Sequence, residues 1–411
     1  MTTIRKWAVG ILMLITLALA LCSAGYWYIF HTSEAPAIRR LWDPYGFIDK
    51  TGRLVLDLQN TQDLFVGALP KRFSNGLCKI YGRHGNSASD INTFANYADK
   101  SGKLLSPDFC YYAASDFSDG LAAVIDFSNN ADRLPRLGVW RRPGDDPNYR
   151  WTFIDMHGKT KSGPFCKVQD YAQGLAGVKL DGEPFWKFID KEGNCVIAGK
   201  FEKVTPFSED RAGILVHGKW GLIDRTGKLV LKPSYISQIH PFQEGLAAAE
   251  VLDASRIDYL NRDGTIRFSL ERHSETGPLK NTDASGGFVV FEKNHKFGFA
   301  DLSGKPIIPP TFDYCWPFSD GRALVCQKSA GKDRFGYIDR LGSLVIPCKY
   351  LEAFPFAEGY AVVTTDTRSR YYKYIDQSGR ECFGGKDFPR AQSFHEGRAF
   401  VGSEYIEPFP L

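Results

Sequence analysis

The feature that most constrains the fold is a short motif that recurs along most of the chain. Each copy places a Gly three residues after an Asp, or after Asn in one copy. A Gly that ends a short polar linker between apolar segments is typical of a hairpin turn with a positive φ. We call these nine segments the DxxG turns, and they begin at Asp49, Asp99, Asp155, Asp190, Asp224, Asn261, Asp301, Asp339 and Asp376.

The acid of each DxxG turn could serve structure or chemistry. An Asp at the start of a turn accepts hydrogen bonds from backbone N–H groups two or three residues further on. Asn261 favours this structural role, because Asn can make the same turn bond but would lose a catalytic carboxylate. We therefore expect Asp224, in the segment KWGLIDRTGKLVLKPSY (219–235), to hold a turn.

A second motif follows most of these turns. It consists of an aromatic residue, two mostly polar residues, a Gly and then small apolar residues, as in FSDGLAAVI from Phe117. The copy FSEDRAGIL has Asp210 in place of Gly, and another copy keeps only GGFVVF from Gly286. This pattern again predicts a strand, a polar turn and a strand. We call these segments the FxxG turns.

Each repeat is predicted to be a meander of about four short strands. Successive DxxG turns are 34 to 40 residues apart from Asp155 onward. A single meander of this size cannot bury its apolar face, so neighbouring repeats must stack. The expected fold is all-β, with about nine repeats in a propeller-like ring or an open β-superhelix. The sequence reveals no strand exchange between the chain ends that would close a ring.

These motifs resemble the WG repeat family, also called KWG repeats. The resemblance rests on the aromatic-Gly-Tyr/Phe-Ile-Asp-x-x-Gly-Lys turn and the Phe-x-x-Gly-Leu-Ala strand, and it extends over about residues 42–401. The Trp-Gly pair itself is intact only at Trp220 and Gly221. The resemblance implies a repetitive β body, mostly bacterial and often exported, with no catalytic residue assigned to the repeat. A large aromatic residue at the Trp position would fill a layer between repeats.

The N-terminal segment predicts a membrane anchor. Residues 7–30 contain no charge and, as a helix, could span the roughly 30 Å hydrocarbon core. Arg5 and Lys6 precede this segment, so the positive-inside rule keeps the N-terminus in the cytoplasm. The alternative is a cleaved signal peptide. The expected domains are an anchor or signal segment at 1–30, a linker at 31–41 and a WG-repeat β domain at 42–405.

Composition excludes several functional classes. The net charge is +4, and +2 remains without Arg5 and Lys6, which does not suggest nucleic-acid binding. One carboxylate per DxxG turn is too few for a calcium site, and no metal or cofactor motif is present. We expect no cofactor and no catalytic residue. Apart from Cys22, the chain has eight Cys residues, which could be paired in disulfides or free.

One insertion interrupts the repeat spacing. Asp99 and Asp155 are 56 residues apart, and the excess lies at 127–151, where arginines accompany aromatic residues. Insertions in repeat proteins often lie on the binding face, and Arg with aromatic residues commonly anchors interfaces. The alternative is a solvated hairpin. The candidate partner-binding residues are Arg133, Arg136, Trp140, Arg141, Arg142, Tyr149 and Arg150.

Together these features predict a membrane-anchored, non-catalytic scaffold of the bacterial cell envelope that binds a protein or a polysaccharide. The expected location is the inner membrane, with a single span and a periplasmic or extracellular C-terminal domain. The alternative is an envelope enzyme that acts on cell-wall glycan through paired carboxylates such as Glu209 and Asp210. That function would require the two carboxylates to face a cleft.

Overall fold

The computed structural model describes most of the repeat region. The chain divides into two units, Met1–Pro44 and Tyr45–Leu411. The described residues all lie in the second unit, so the predicted anchor at 7–30 and the predicted linker at 31–41 lie outside them. Within the described residues no helix is long and apolar enough to cross a membrane. The described residues are 45–58, 72–82, 94–107, 110–126, 149–251, 256–271, 282–329, 331–366, 368 and 371–402.

The described part of the chain is all-β, as the sequence predicted. Its one helical element is a single 3₁₀ turn, Phe383–Gly385. The strands of the first half are β1 (Gly46–Ile48), β2 (Leu54–Asp57), β3 (Phe73–Ser74), β4 (Leu77–Gly82), β5 (Phe94–Asp99), β6 (Tyr111–Ala114), β7 (Leu121–Asp126), β8 (Trp151–Asp155), β9 (Thr160–Phe165), β10 (Lys167–Val168), β11 (Ala176–Lys179), β12 (Trp186–Ile189), β13 (Cys195–Phe201), β14 (Lys203–Val204), β15 (Arg211–Val216) and β16 (Lys219–Asp224).

The second half continues the same pattern of short strands. They are β17 (Leu229–Tyr235), β18 (Ala247–Glu250), β19 (Arg256–Leu260), β20 (Ile266–Glu271), β21 (Phe288–Lys293), β22 (Lys296–Asp301), β23 (Pro306–Phe312), β24 (Tyr314–Cys315), β25 (Ala323–Ser329), β26 (Lys332–Ile338), β27 (Leu344–Tyr350), β28 (Glu352–Ala353), β29 (Tyr360–Thr364), β30 (Tyr371–Asp376), β31 (Phe388–Pro389) and β32 (Ala399–Val401).

Most repeats form a small antiparallel sheet of three or four strands, whereas β3 to β9 join in one seven-stranded sheet. The sheet β14-β15-β16-β17 shows the plan: a two-residue strand, an FxxG turn, two central strands, and an outer strand after the DxxG turn. β17 lies at an edge of this sheet and contains Pro233. Pro cannot donate a ladder hydrogen bond and is therefore confined to edge strands, where it also discourages pairing with another chain. The equivalent edge strand β27 contains Pro347.

The hydrophobic core lies between successive sheets. Leu324 and Tyr337 of one sheet pack in the same cluster as Phe356 and Val363 of the next. Trp220, the residue of the intact Trp-Gly pair, is buried beside Ile239 and Phe242 of the following repeat. Neighbouring repeats therefore share each layer of core, as expected for meanders that cannot bury an apolar face alone.

The two ends of the described repeat region pair with each other. β1 is antiparallel to β32, with Gly46 opposite Val401 and Ile48 opposite Ala399. Together with β2 they form one three-stranded sheet. The sequence analysis did not find this strand exchange, because neither strand carries a signal that identifies its partner.

The eight cysteines after Cys22 are all free thiols. Among them Cys78, Cys315 and Cys326 are buried, where they act as small apolar residues in the core. Burial raises the pKa of the Cys326 thiol to about 11, which disfavours the reactive thiolate. Of the two alternatives that the cysteine count left open, disulfides or free thiols, the structure has free thiols.

Candidate partner-binding surface

Asp224 holds its turn, as predicted. Its Oδ1 atom accepts hydrogen bonds from the Thr226 N–H (2.9 Å), the Thr226 hydroxyl (2.6 Å) and the Lys228 N–H (3.0 Å). These donors stabilise the ionised carboxylate, and the pKa of Asp224 is lowered, mainly by the Thr226 hydroxyl. The carboxylate therefore acts as a fixed acceptor within the turn.

The Gly of most DxxG turns has two functions. Gly227 has a φ of +83°, and the nine equivalent glycines all lie in the left-handed region. A Cβ at Gly227 would also lie 2.9 Å from Ile197 Cγ2 in the preceding repeat. A Cβ at Gly102 would likewise clash with Leu56, and a Cβ at Gly52 would clash with Phe383. The Gly thus gives the backbone its conformation and lets the turn pack closely on its neighbour.

The turn at Asn261 differs from the prediction that Asn makes the same bond. Asn261 Nδ2 donates to the Thr265 hydroxyl, and its side chain accepts none of the turn N–H groups. Asp263 Oδ1 accepts the Thr265 N–H instead, at 2.9 Å. The expectation was wrong in its detail, because a carboxylate two residues further on takes over the acceptor role.

The FxxG turns are tight hairpins in all nine repeats. Both central residues have positive φ, for example Asp119 (+54°) and Gly120 (+83°), which is characteristic of a type I′ turn. Asp210 replaces the Gly of one copy and still adopts a φ of +63°. The paired central residues are Asn75-Gly76, Asp119-Gly120, Gln173-Gly174, Glu209-Asp210, Glu244-Gly245, Gly286-Gly287, Asp320-Gly321, Glu358-Gly359 and Glu396-Gly397.

In eight of the nine FxxG turns, the side chain at the first central position links the turn to the next one. Asp119 Oδ2 accepts the N–H of Gly174 at 2.6 Å, and Asp320 Oδ2 accepts that of Gly359 at 2.7 Å. We call these contacts turn links. The other acceptor and donor pairs are Asn75 to Gly120, Gln173 to Asp210, Glu209 to Gly245, Glu244 to Gly286 and Gly287, Glu358 to Gly397, and Glu396 to Gly76.

The last turn link returns to the first repeat. Glu396 Oε2 accepts the Gly76 N–H at 2.9 Å, although 320 residues separate them in sequence. Lys100 also forms an ion pair with Glu396, at 3.2 Å. Both the turn links and the β1-β32 pairing therefore place the last repeat beside the first.

Basic residues reinforce several turn links. The residue that follows the Asp of a DxxG turn reaches the FxxG turn of the preceding repeat. Lys50 pairs with Glu358 at 3.0 Å, and Arg262 pairs with Glu209 at 2.7 Å. The corresponding position holds Met156 where the acceptor is the neutral Asn75, and Leu302 where it is Glu244. We call the surface formed by the DxxG and FxxG turns the turn face.

Glu209 and Asp210, the carboxylates of the predicted alternative enzyme, belong to this turn face. Glu209 receives both the Gly245 N–H and the Arg262 guanidinium. The Asp210 N–H donates to Gln173, and Asp210 Oδ1 lies 3.9 Å from Arg225. Adjacent positions in one tight turn thus hold two carboxylates that already have structural partners.

Most of the predicted partner-binding residues lie outside the described part of the chain. These are Arg133, Arg136, Trp140, Arg141 and Arg142. Their part in binding stays a prediction.

The two described members of the set lie where the insertion rejoins β8. Tyr149 is buried and stacks on Tyr112, with ring centroids 4.8 Å apart. Arg150 forms an ion pair with Asp181 and donates to the Tyr149 carbonyl. These contacts hold the two residues that precede β8, and their role in binding is likewise still a prediction.

Other titratable groups form pairs away from the DxxG and FxxG turns. His240 Nδ1 is 2.9 Å from Asp283 Oδ1, and this bond raises the pKa of His240. Asp116 pairs with Arg72 (3.5 Å) and Lys79 (3.4 Å). Among the described residues, no group of three or more His, Cys, Asp or Glu side chains could hold a metal ion.

A family model matches four of the repeats. The model describes a WG containing repeat, and it matches residues 186–220, 220–253, 297–329 and 335–366. The chain contains WG repeats. This confirms the resemblance inferred from the motifs. The DxxG turns at Asp49, Asp99, Asp155, Asn261 and Asp376 lie outside the matched segments, as does the insertion.

Comparisons with other proteins add little to this assignment. A search of curated proteins finds no match. A eukaryotic initiation factor structure is 12% identical, with a TM-score of 0.43, and the match covers 89% of this chain and 100% of that chain. The apo AztD structure from Citrobacter koseri is 14% identical, with a TM-score of 0.34 and coverages of 76% and 96%. These likenesses are too distant to inform function.

Proposed function

We propose that this WG-repeat chain is a non-catalytic binding scaffold of the bacterial cell envelope. In this proposal nine repeats close into a propeller-like ring and present a rigid surface to a protein or polysaccharide. The observation that carries the proposal is the series of turn links that returns from Glu396 to Gly76. A surface whose parts are already fixed loses less conformational freedom on binding, which favours recognition.

The chemistry of the turn face also favours binding over catalysis. A general acid or base needs a side chain that is free to exchange a proton with a substrate. The acids at the FxxG turns instead accept backbone N–H groups of the neighbouring repeat, as Asp119 and Glu358 do. Glu209, the first candidate for the alternative enzyme, is engaged in the same way.

The envelope location rests on the N-terminal sequence. Arg5, Lys6 and the uncharged segment 7–30 suit an uncleaved anchor with the repeats exported. The test is the intact mass of the protein purified from membranes. We expect the mass of the full chain, whereas a mature chain that begins near Cys22 or Gly25 would contradict the anchor.

The partner is proposed to bind the insertion at 127–151. Its guanidinium groups suit an acidic protein or an anionic polysaccharide. The experiment is capture from envelope fractions with the Arg141→Ala and Arg142→Ala double variant. We expect capture at low salt to fall about tenfold, and added salt to have the same effect on the wild type.

A control with the same charge change isolates the effect of position. Lys159 and Lys161 are exposed basic residues on or beside β9, so their double Ala variant removes the same charge elsewhere. Capture should persist in this control. Undiminished capture by the Arg141 and Arg142 variant would instead direct the search to the repeat surface.

A further inference from the structure

One turn link is missing, at the repeat that contains Gly286. Eight of the nine FxxG turns offer a side-chain acceptor to the following turn, and the contacts measure 2.6 to 3.0 Å. At the ninth, Gly286 occupies the acceptor position and has no side chain. The N–H that would donate to such an acceptor belongs to Gly321, which is exposed.

At the same position a guanidinium group lacks the carboxylate that three equivalent residues contact, and it donates to a turn carbonyl, as Lys191 and Arg225 do. Arg340 follows the Asp of its DxxG turn and is equivalent to Lys50, Lys100 and Arg262. Those three residues pair with the acid of the preceding FxxG turn at 2.7 to 3.2 Å. Arg340 is exposed, donates to the Gly286 carbonyl and lies over the Phe288 ring, 5.0 Å from its centroid. Within the described residues it forms no ion pair with a carboxylate.

The chain cannot easily supply the missing acid itself. A Cβ at Gly286 would lie 2.8 Å from Phe318 Cβ, which is closer than real Cβ atoms approach. A side chain at this position would therefore force the neighbouring turn to shift. Glycine preserves the packing and leaves two donors, the Gly321 N–H and the Arg340 guanidinium, directed to one acceptor position.

An exposed apolar residue lies next to these donors. Leu341 is 86% exposed, the highest value among the large apolar side chains described. Equivalent positions in other DxxG turns hold Thr51, Ser101, Thr226, Ser303 and Ser378, whose hydroxyls bond to the turn Asp. The Asp339 turn thus lacks this bond and presents an apolar surface to solvent.

We propose that this position binds an acidic segment of a partner protein, which supplies the missing acceptor. An Asp or Glu carboxylate of the partner would accept the Gly321 N–H and pair with Arg340, as Glu209 accepts Gly245 and pairs with Arg262. An adjacent apolar residue of the partner would cover Leu341. Leu341 favours a peptide over a polyuronate, which has carboxylates but no comparable apolar side chain. This inference rests on the proposed scaffold function and adds a second contact site to it.

Binding of matched peptides to the full-length chain in detergent tests the proposal. One fluorescein-labelled peptide alternates Glu and Leu, and the other alternates Gln and Leu. We expect fluorescence anisotropy to show at least about tenfold tighter binding of the Glu peptide, because its carboxylate makes charge-assisted bonds. Arg340→Gln should abolish this preference, and Gly321 should gain amide hydrogen-exchange protection when the Glu peptide binds.

Two further variants separate the site from general effects of charge and folding. Leu341→Ser removes only an exposed side chain and should weaken binding of both peptides without lowering Tm. Arg262→Gln is the matched control, because Arg262 is the equivalent residue beside an acid that is present. We expect this control to bind the Glu peptide like the wild type.

Several outcomes would overturn the proposal. They are equal binding of the two peptides, no binding of the Glu peptide up to about 1 mM, and equal losses in Arg340→Gln and Arg262→Gln. Arg340-dependent binding of an oligogalacturonate without binding of the Glu peptide would assign the site to a glycan and reject a protein segment. The Arg141 and Arg142 variant keeps this site intact, so its capture result distinguishes the two proposals.

Discussion

Two adjacent DxxG turns, at Asp224 and at Asn261, have the same backbone and different side-chain chemistry. Gly227 and Gly264 have φ values of +83° and +82°. In both turns the first residue donates its N–H to the carbonyl four residues on and accepts the Gly N–H. Asp224 accepts three further bonds, whereas Asn261 accepts none of them and Asp263 takes one over.

This comparison shows that a DxxG turn requires its Gly but can place its acid at another position. The Gly cannot be replaced easily, because both its φ and its contact with the preceding repeat depend on the missing side chain. The acid can move to another position, because any nearby oxygen can accept the same N–H group. Substitutions of the Gly should therefore cost more free energy of unfolding than substitutions of the Asp.

Lowering the pH should reduce the stability of the fold more than any single substitution, because it protonates many turn Asp side chains together. A turn side chain donates to Asp49, Asp99, Asp190, Asp224, Asp301 and Asp376 and lowers each pKa, that of Asp376 to about 2. A lowered folded-state pKa stabilises the fold above the unfolded value near 3.9, and this stability is lost as pH falls through the folded value.

Circular dichroism melts between pH 5 and pH 2 measure this acid effect. We expect Tm to fall by roughly 10 °C or more, with the steepest loss below pH 4. Asp224→Asn removes one titrating acid and should make the fall slightly shallower. A Tm that stays constant over this range would contradict a stabilising role for the turn acids.

Gly227→Val should be the most destabilising single change. A β-branched residue strongly disfavours positive φ, and its Cβ would meet Ile197 at 2.9 Å. We expect a loss of about 3 kcal/mol in the free energy of unfolding, measured by urea denaturation. Gly218→Val is the control, because Gly218 has a φ of +72° and nothing within 4 Å of its Cβ position. Equal losses in the two variants would show that the contact with Ile197 contributes nothing.

Substitutions of Asp224 should have smaller effects. Asp224→Ala removes the acceptor of three bonds in an exposed turn and should cost about 1–2 kcal/mol. Asp224→Asn keeps an Oδ1 acceptor and should cost under about 1 kcal/mol. The same denaturation experiment measures both. If Asp224→Asn abolished partner capture while Tm was unchanged, the acid would have a functional role that the turn geometry does not include.

The sequence predicted what is local to one turn and missed what depends on spatial neighbours. Positive φ at Gly227 and the bonds of Asp224 follow from spacing and residue type, and both are confirmed. The link from Glu396 to Gly76 depends on which repeats lie side by side, and no local pattern contains that information. Tyr149 was predicted as a binding residue from composition, and this stays a prediction; its stacking on Tyr112 of β6 is a contact that the sequence did not indicate.

Leu341→Ser should give the smallest effect, and it should be stabilising. Ser303 Oγ donates to Asp301 Oδ1 at 2.6 Å, and a Ser at position 341 could make the same bond to Asp339. Leu341 is 86% exposed, so the substitution removes almost no packing. We expect a gain of about 0.5–1 kcal/mol in the free energy of unfolding, and Leu341→Ala should give none of it. A gain in stability together with weaker binding of the Glu peptide would show that Leu341 contributes to binding in place of a hydrogen bond to Asp339. A loss of stability would show that Leu341 contributes to the fold, and the argument for its role in binding would fail.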